Sequence, residues 1–218
     1  DLYWYSVENY YGTNFVYSGN DSIRPEKNIQ FEAGIKLGTA KTKGSLCFYR
    51  SHTTDLINWG QMVFVMPDTL FTQVANIGRT LSQGVELQAS HTMFGLVTLG
   101  LNYTYCLAVQ DTAGRPKLAF RPLHTANGSV SINDIQIVPD LKLGWKFWSQ
   151  YNDTQLDNLY NQTLPRYIIS NQVLSLKIVD ARVYYKVENL FNANYETRYG
   201  YPMPRRTQSF GVTLELWD

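Results

Sequence analysis

The clearest signal along the chain is a period of two. Between Thr207 and Trp217, the residues Phe210, Val212, Leu214 and Leu216 fall on one face, and Thr207, Ser209, Gly211, Thr213 and Glu215 fall on the other. A strand with one apolar and one polar side requires this alternation. The pattern recurs upstream. Residues 181–189 set Val183, Tyr185 and Val187 against Arg182, Tyr184, Lys186 and Glu188, and residues 167–179 set Leu174, Leu176 and Ile178 against Val173, Ser175 and Lys177. Residues 141–151 set Leu141, Leu143, Trp145 and Phe147 against Lys142, Gly144, Lys146, Trp148 and Gln150, and residues 96–105 set Val97, Leu99, Leu101, Tyr103 and Tyr105 against Thr98, Gly100, Asn102 and Thr104. With weaker runs near residues 28–38, 43–58, 73–90 and 120–132, the chain reads as all-β with about nine strands, longer than is usual in soluble sheets and suited to a tilted bilayer crossing.

The predicted connections alternate. Those near residues 39–42, 91–95, 133–140 and 179–180 are short, and those near 59–72, 106–119, 152–166 and 190–206 are long and rich in Asn, Asp, Gly, Pro and aromatics. A sandwich has no reason to keep its long loops at one end, whereas an antiparallel transmembrane β-barrel has short turns on one side and long loops on the other. About nine strands place the first and last in parallel, so an up-and-down barrel of this size does not close on itself unless residues 2–17, with Leu2, Trp4, Tyr10, Phe15 and Tyr17, add a strand. The chain is therefore expected to be a segment of a larger barrel. Two alternatives remain: a self-closed small barrel acting as a pore or enzyme, and a soluble β-sandwich in which the faces bearing Leu99, Leu143 and Leu214 are buried.

Composition sharpens this reading. The 218 residues include sixteen Tyr and five Trp, with a formal net charge of +1. Tyr and Trp suit a membrane–water boundary, having an apolar body and a polar tip, and the near-zero charge offers no basic footprint for nucleic acid. No stretch approaches the roughly 18 apolar residues of a membrane helix, and the N-terminal Asp-Leu-Tyr-Trp-Tyr lacks the pattern of a signal peptide. The sequence is expected to begin after processing or to be a piece of something longer. Cys47 and Cys106 lie on different strands at different heights and are expected to be unpaired, buried or facing the lumen.

The C-terminal Asn189-Leu190-Phe191, Tyr195-Glu196, Gly200-Tyr201-Pro202 and final strand resemble the closing hairpin of the TonB-dependent outer-membrane receptor family. Further matches follow in order: Ile23-Arg24-Pro25-Glu26 with the Glu32 and Gly34 of the next strand, Phe48-Tyr49-Arg50 through Asp55-Leu56-Ile57, Asn76 with Gly84-Val85-Glu86, Asn102-Tyr103-Thr104-Tyr105 with Ala108, and Arg121-Pro122-x-His124 with Asn127. Within the family, Tyr195-Glu196-Thr197-x-Tyr199-Gly200-Tyr201-Pro202 is most similar to the cobalamin and ferric-siderophore receptors. The chain departs in having Pro204-Arg205-Arg206 and in ending on Trp217-Asp218. The resemblance implies a barrel of about 22 strands around an N-terminal plug, of which this chain is the C-terminal part, with residues 1–27 an extracellular loop, residues 28–218 strands, and the plug absent. It further implies the outer membrane of a Gram-negative bacterium, uptake of a metal chelate such as a siderophore or haem, or of cobalamin, and partners in the N-terminal barrel half and plug of the same receptor, TonB through the plug, outer-membrane lipids and a surface lipoprotein.

No catalytic or metal-binding residues are assigned. His52, His91 and His124 are scattered, without convergent His or Cys spacing, and only His124 lies near a rim, where it reads as a lumen or rim residue. Ligand-binding candidates come from the long loops: Tyr10, Tyr11, Asn14, Phe15, Trp59, Met62, Phe64, Tyr151, Asp153, Tyr160, Arg198, Arg205 and Arg206. Pro25, Glu26, Glu32, Gly84, Glu86, Arg121, Pro122, His124, Asn189, Leu190, Phe191, Tyr195, Gly200, Tyr201 and Pro202 are expected to shape the structure.

Overall fold

The computed structural model describes residues 5–10, 13–59, 63–66, 69–76, 78–157 and 161–214. Nine strands form one sheet: β1 (Lys27–Gly38), β2 (Thr42–Thr54), β3 (Thr80–Met93), β4 (Val97–Gln110), β5 (His124–Val138), β6 (Leu141–Asn152), β7 (Tyr167–Ile178), β8 (Ala181–Glu188) and β9 (Thr207–Leu214). Each lies beside its neighbours in sequence, and β1 and β9 end the order. The sheet is antiparallel in every pair from β4 to β9.

The connections alternate as expected, with shifted bounds. Residues 39–41, 94–96, 139–140 and 179–180 are short turns, and residues 55–79, 111–123, 153–166 and 189–206 are long. The turn predicted over 133–140 shrinks because β5 continues past a bulge between Ile132 and Ile135, where it keeps pairing with β6.

The chain divides into two compact units. One comprises Asp1–Phe31, Arg50–Ser82 and Ala108–Pro116, and the other Glu32–Tyr49, Gln83–Leu107 and Lys117–Asp218. In the larger unit, cross-strand register converts the period of two into rows. Val97, Ile132, Trp145, Leu174, Tyr185 and Phe210 stand side by side across six strands. Leu143, Leu176, Val183 and Val212 form a second row. This apolar face is open: Leu99 is 38% exposed and Leu214 62% exposed, and Leu143 is only half-buried. A sandwich would bury all three, so that reading is not met. Among the described residues of this unit, only Leu164 and Val187 form buried apolar side chains of a core type. A sheet this apolar and this exposed must have another medium or partner against it.

The smaller unit holds a sheet built from connections. Tyr5–Tyr10 and Thr13–Ser18 form an antiparallel hairpin. Thr13–Ser18 then runs parallel to Thr69–Asn76, from Asn14 opposite Thr69 to Ser18 opposite Gln73, and Ile57–Trp59 and Val63–Met66 pair antiparallel with the same central strand. One expectation is corrected here. The run 73–90 is not one strand, because residues up to Asn76 belong to this small sheet and β3 starts only at Thr80. Tyr5–Tyr10 pairs with Thr13–Ser18, which pairs with Thr69–Asn76, so the tenth strand a self-closed barrel needs is not observed among the described residues; Leu2 and Trp4 lie outside them. Cys47 and Cys106 are not joined in a disulfide, as expected.

Candidate functional site

Motifs far apart in the sequence meet within the smaller unit. Asn76 uses its whole carboxamide: Oδ1 accepts from Arg24 N at 2.9 Å, and Nδ2 donates to Arg24 O at 2.9 Å and to Asp55 O at 2.6 Å. The Arg24 guanidinium pairs with Asp55 at 2.8 Å, and the Glu26 carboxylate accepts from Ile57 N at 2.7 Å. Three separated motifs, around Pro25, Asp55 and Asn76, thus form one junction where strands give way to loops. Backbone donors that no strand partner reaches are satisfied by side chains.

In the larger unit Asn189 does the same for the last long loop. It is buried, with a positive φ of 51°. Its Oδ1 accepts from Ala193 N at 2.8 Å, and its Nδ2 donates to Ala193 O at 2.9 Å and Pro204 O at 3.2 Å. Asn is among the residues that tolerate this backbone region. Leu190 N donates to Ser170 O at 2.7 Å, while Phe191 is exposed. Tyr195 packs at a tilt against Tyr167 with centroids 4.7 Å apart; burial there, with the Glu188 carboxylate nearby, pushes its phenol above the ordinary tyrosine range. The Glu196 carboxylate accepts from Gly200 N at 2.9 Å. Gly200 turns with φ +76°, a conformation favouring glycine, between the short strands Glu196–Arg198 and Tyr201–Pro202.

Three long loops are joined at one end of this unit. Phe120 N donates to Leu156 O at 2.9 Å, and the Arg198 guanidinium lies 5.4 Å over the Phe120 ring. Gln155 Nε2 donates to Thr197 O at 3.4 Å. The Asp157 carboxylate, buried to 1% exposure, accepts from Tyr199 N at 3.0 Å. Asp157 and Phe120 were not singled out by sequence reasoning. Their signal was weak: an acid and an aromatic inside loops look solvated until a partner loop is known.

The predicted ligand candidates scatter. Tyr11, Met62 and Tyr160 lie outside the described residues, as does the end of the final strand from Glu215 to Asp218. Tyr10, Asn14, Phe15, Trp59 and Phe64 lie on loop strands. Arg205 Nη1 donates to Asn192 O at 3.0 Å and Arg206 N donates to Asn192 Oδ1 at 3.1 Å, so both brace the loop from within. Arg198 is engaged with Phe120 as above. Tyr151 donates to Asp153 Oδ1 at 3.3 Å, yet register places Tyr151 opposite Ala126 on the apolar face. His124, expected in the lumen or at the rim, stands opposite Tyr105 at the long-loop end of that apolar face, and its Nδ1 hydrogen-bonds the Tyr103 hydroxyl at 2.8 Å. Tyr103, Tyr105 and His124 make an aromatic cluster at the long-loop end of the apolar face, with Tyr151 in the same row as Tyr103, the position of a membrane-interface girdle.

The motif glycines mark close approach. A Cβ at Gly84 would collide with Tyr105 O and with the Tyr49 ring. Glu32, Glu86, Arg121, Tyr201 and Pro202 are exposed. No group of three or more His, Cys, Asp or Glu converges as a metal site among the described residues.

A family model described as TonB dependent receptor-like, beta-barrel matches residues 1–212. The chain belongs to the TonB-dependent receptor family. That family is one of outer-membrane proteins of Gram-negative bacteria, which accounts for an apolar sheet face with no protein core against it. Solved structures agree with the receptor fold. The FrpB iron transporter from Neisseria meningitidis is 16% identical with a TM-score of 0.67, over 90% of this chain and 32% of that one. The copper transporter OprC is 17% identical with a TM-score of 0.72, over 88% and 31%. A mutant ferric enterobactin receptor, PfeA, from Pseudomonas aeruginosa, solved with enterobactin, is 19% identical with a TM-score of 0.68, over 94% and 34%. At these identities the likeness is one of fold. This receptor chain spans about a third of the length of each.

Proposed function

We propose that this chain forms the C-terminal part of the barrel wall and the ligand-gathering rim of a TonB-dependent receptor that takes up a scarce chelate, such as a ferric siderophore, haem or cobalamin. The observation that carries the reading is the joining of three long loops at one end of a sheet whose connections alternate between long loops and short turns. Such an arrangement suits a wall that is fixed in lipid while selectivity resides in the loops. The two open ends of the sheet order, β1 and β9, would be completed by the N-terminal barrel strands of the same receptor, and its plug would carry the contact with TonB. Neighbours named as transporters of iron and copper and as a receptor of ferric enterobactin support a metal-bearing cargo. A surface lipoprotein and outer-membrane lipids complete the proposed partners.

The test is peptide mapping and heat-modifiable gel migration of the protein extracted from outer membranes, followed by uptake with and without the energising inner-membrane partner. A heat-sensitive species far larger than 25.1 kDa that supports energised uptake is expected. A stable species of that smaller mass, or uptake indifferent to the energy source, would overturn the proposal.

A further inference from the structure

Charge is unevenly spread over the polar face of the larger unit. Lys142 on β6, Lys177 on β7 and Arg182 on β8 stand in direct register, each one residue in from a short turn. Like charges set opposite one another on a sheet repel. The Asp134 carboxylate answers Arg182 at 2.7 Å, while Glu32, Glu86 and Glu188 lie toward the middle or the long-loop end of their strands. Cations farther from the short turns are better placed: Lys186 pairs with Glu188 at 2.7 Å, and the Lys146 ammonium lies 5.7 Å over the Trp148 ring.

A second group of cations lies at the same end. Lys36 near the close of β1 and Lys43 near the start of β2 line a groove of about 580 Å³ together with Ser45, Gln88 and Asn102, and no acidic side chain lines it. Asn102 is out of phase with Leu99 and Leu101 on β4, so the groove opens on the polar face. Lys36, Lys43 and Lys142 are exposed, and none of them forms an ion pair among the described residues. With adjacent strands about 4.8 Å apart, β2 and β6, four places apart in the sheet order, stand about 19 Å from each other along the sheet. A small anion reaches one group and leaves the other uncompensated. A protein surface bearing several carboxylates spans both.

We infer that these two groups of cations seat an acidic surface of the receptor's own N-terminal plug, at the end of the lumen farthest from the long loops. The inference rests on the proposed receptor function, which supplies the plug but neither its charge nor its place on the wall. The polar face looks into the lumen, out of reach of lipid headgroups, and apolar walls concentrate the field of unpaired cations there. This chain spans about a third of FrpB, OprC and PfeA, so on the receptor reading most of the polypeptide, the plug included, is available to supply the carboxylates.

The test uses the full-length receptor in detergent. A zero-length carbodiimide reagent joins a lysine amine to a carboxylate only where the two touch, and peptide mapping then reads the partners. Amide links from Lys36 or Lys43, and from Lys142 or Lys177, to Asp or Glu of the plug are expected. In the double variants Lys36→Gln/Lys43→Gln and Lys142→Gln/Lys177→Gln, whose folding heat-modifiable migration verifies, hydrogen exchange in the linked plug segments should quicken about fivefold or more. Salt at about 1 M should do the same to the wild type. No links, links confined to barrel carboxylates such as Asp134, Asp140 or Asp180, links to a separate protein, or plug exchange unchanged in the folded variants would overturn the inference. Plug peptides missing from the intact receptor would instead remove the function on which it rests.

Discussion

The ring of Tyr184 fills the space that a side chain at Gly211, directly opposite on β9, would need. The same device recurs where Tyr49 covers Gly84. On an open polar face these pairs give large side chains a packing partner by removing one across the strand. Gly211→Ala is therefore expected to destabilise the barrel by about 1–3 kcal/mol through overpacking. Tyr184→Ala in the same background should recover part of that loss, a coupling that a double-mutant cycle in urea would measure; additive effects would contradict the account.

Arg182 on β8 reaches over Ser175 and Gly144, on the two intervening strands, to grip Asp134 on β5 at 2.7 Å and 3.0 Å. A Cβ at Gly144 would stand 2.7 Å from Asp134 Oδ1 and 2.9 Å from Ser175 Oγ. Both charged side chains are about a third exposed, at 30% and 34%, so Arg182→Met is expected to cost only about 1 kcal/mol. Gly144→Ala should cost a similar amount in the wild-type background and less beside Arg182→Met, because it acts by displacing the same pair.

Asn189→Ala removes three side-chain hydrogen bonds and places alanine at a φ of 51°. The expected cost is about 2–4 kcal/mol, confined to the last loop. Hydrogen exchange should quicken across residues 189–206, with the Ala193 amide among the first, while β7 and β8 remain protected. Unchanged exchange in that loop would mean the asparagine is not its anchor.

Phe120→Ala should loosen the contact with Arg198 by about 0.5–1 kcal/mol, enough to alter loop motion and too little to unfold strands. Faster exchange in both 111–123 and 189–206 is expected. An effect limited to the first of these loops would show that they are not mechanically joined.

The nine-stranded sheet was legible because every strand separates two media, so its faces are written as alternating residue types. Phase at strand ends was harder. His124 and Tyr151 look like rim polar residues in isolation, and only counting in steps of two, back from Val130 and forward from Phe147, puts them on the apolar face. The parallel pairing of Thr13–Ser18 with Thr69–Asn76 was illegible, since backbone pairing between distant segments leaves no periodic trace in either. Asn76 and Asn189 were legible as motif positions but not as hydrogen-bond centres, because their partners are main-chain atoms that any sequence supplies. Arg205 and Arg206 were legible only as ligand candidates; the contacts of the Arg205 guanidinium and the Arg206 amide with Asn192 form where that residue takes a positive φ of 55°.

The central claim is that the face bearing Phe210, Val212 and Leu214 meets lipid. The most direct measurement places single cysteines from Ser209 to Leu214 in the full-length receptor, with Cys47 and Cys106 replaced by alanine, labels each with an environment-sensitive fluorophore, and adds lipids carrying a quencher in their acyl chains. Quenching at 210, 212 and 214, and not at 209, 211 and 213, is the predicted result. Uniform quenching, or none on the Phe210 face, would contradict the account.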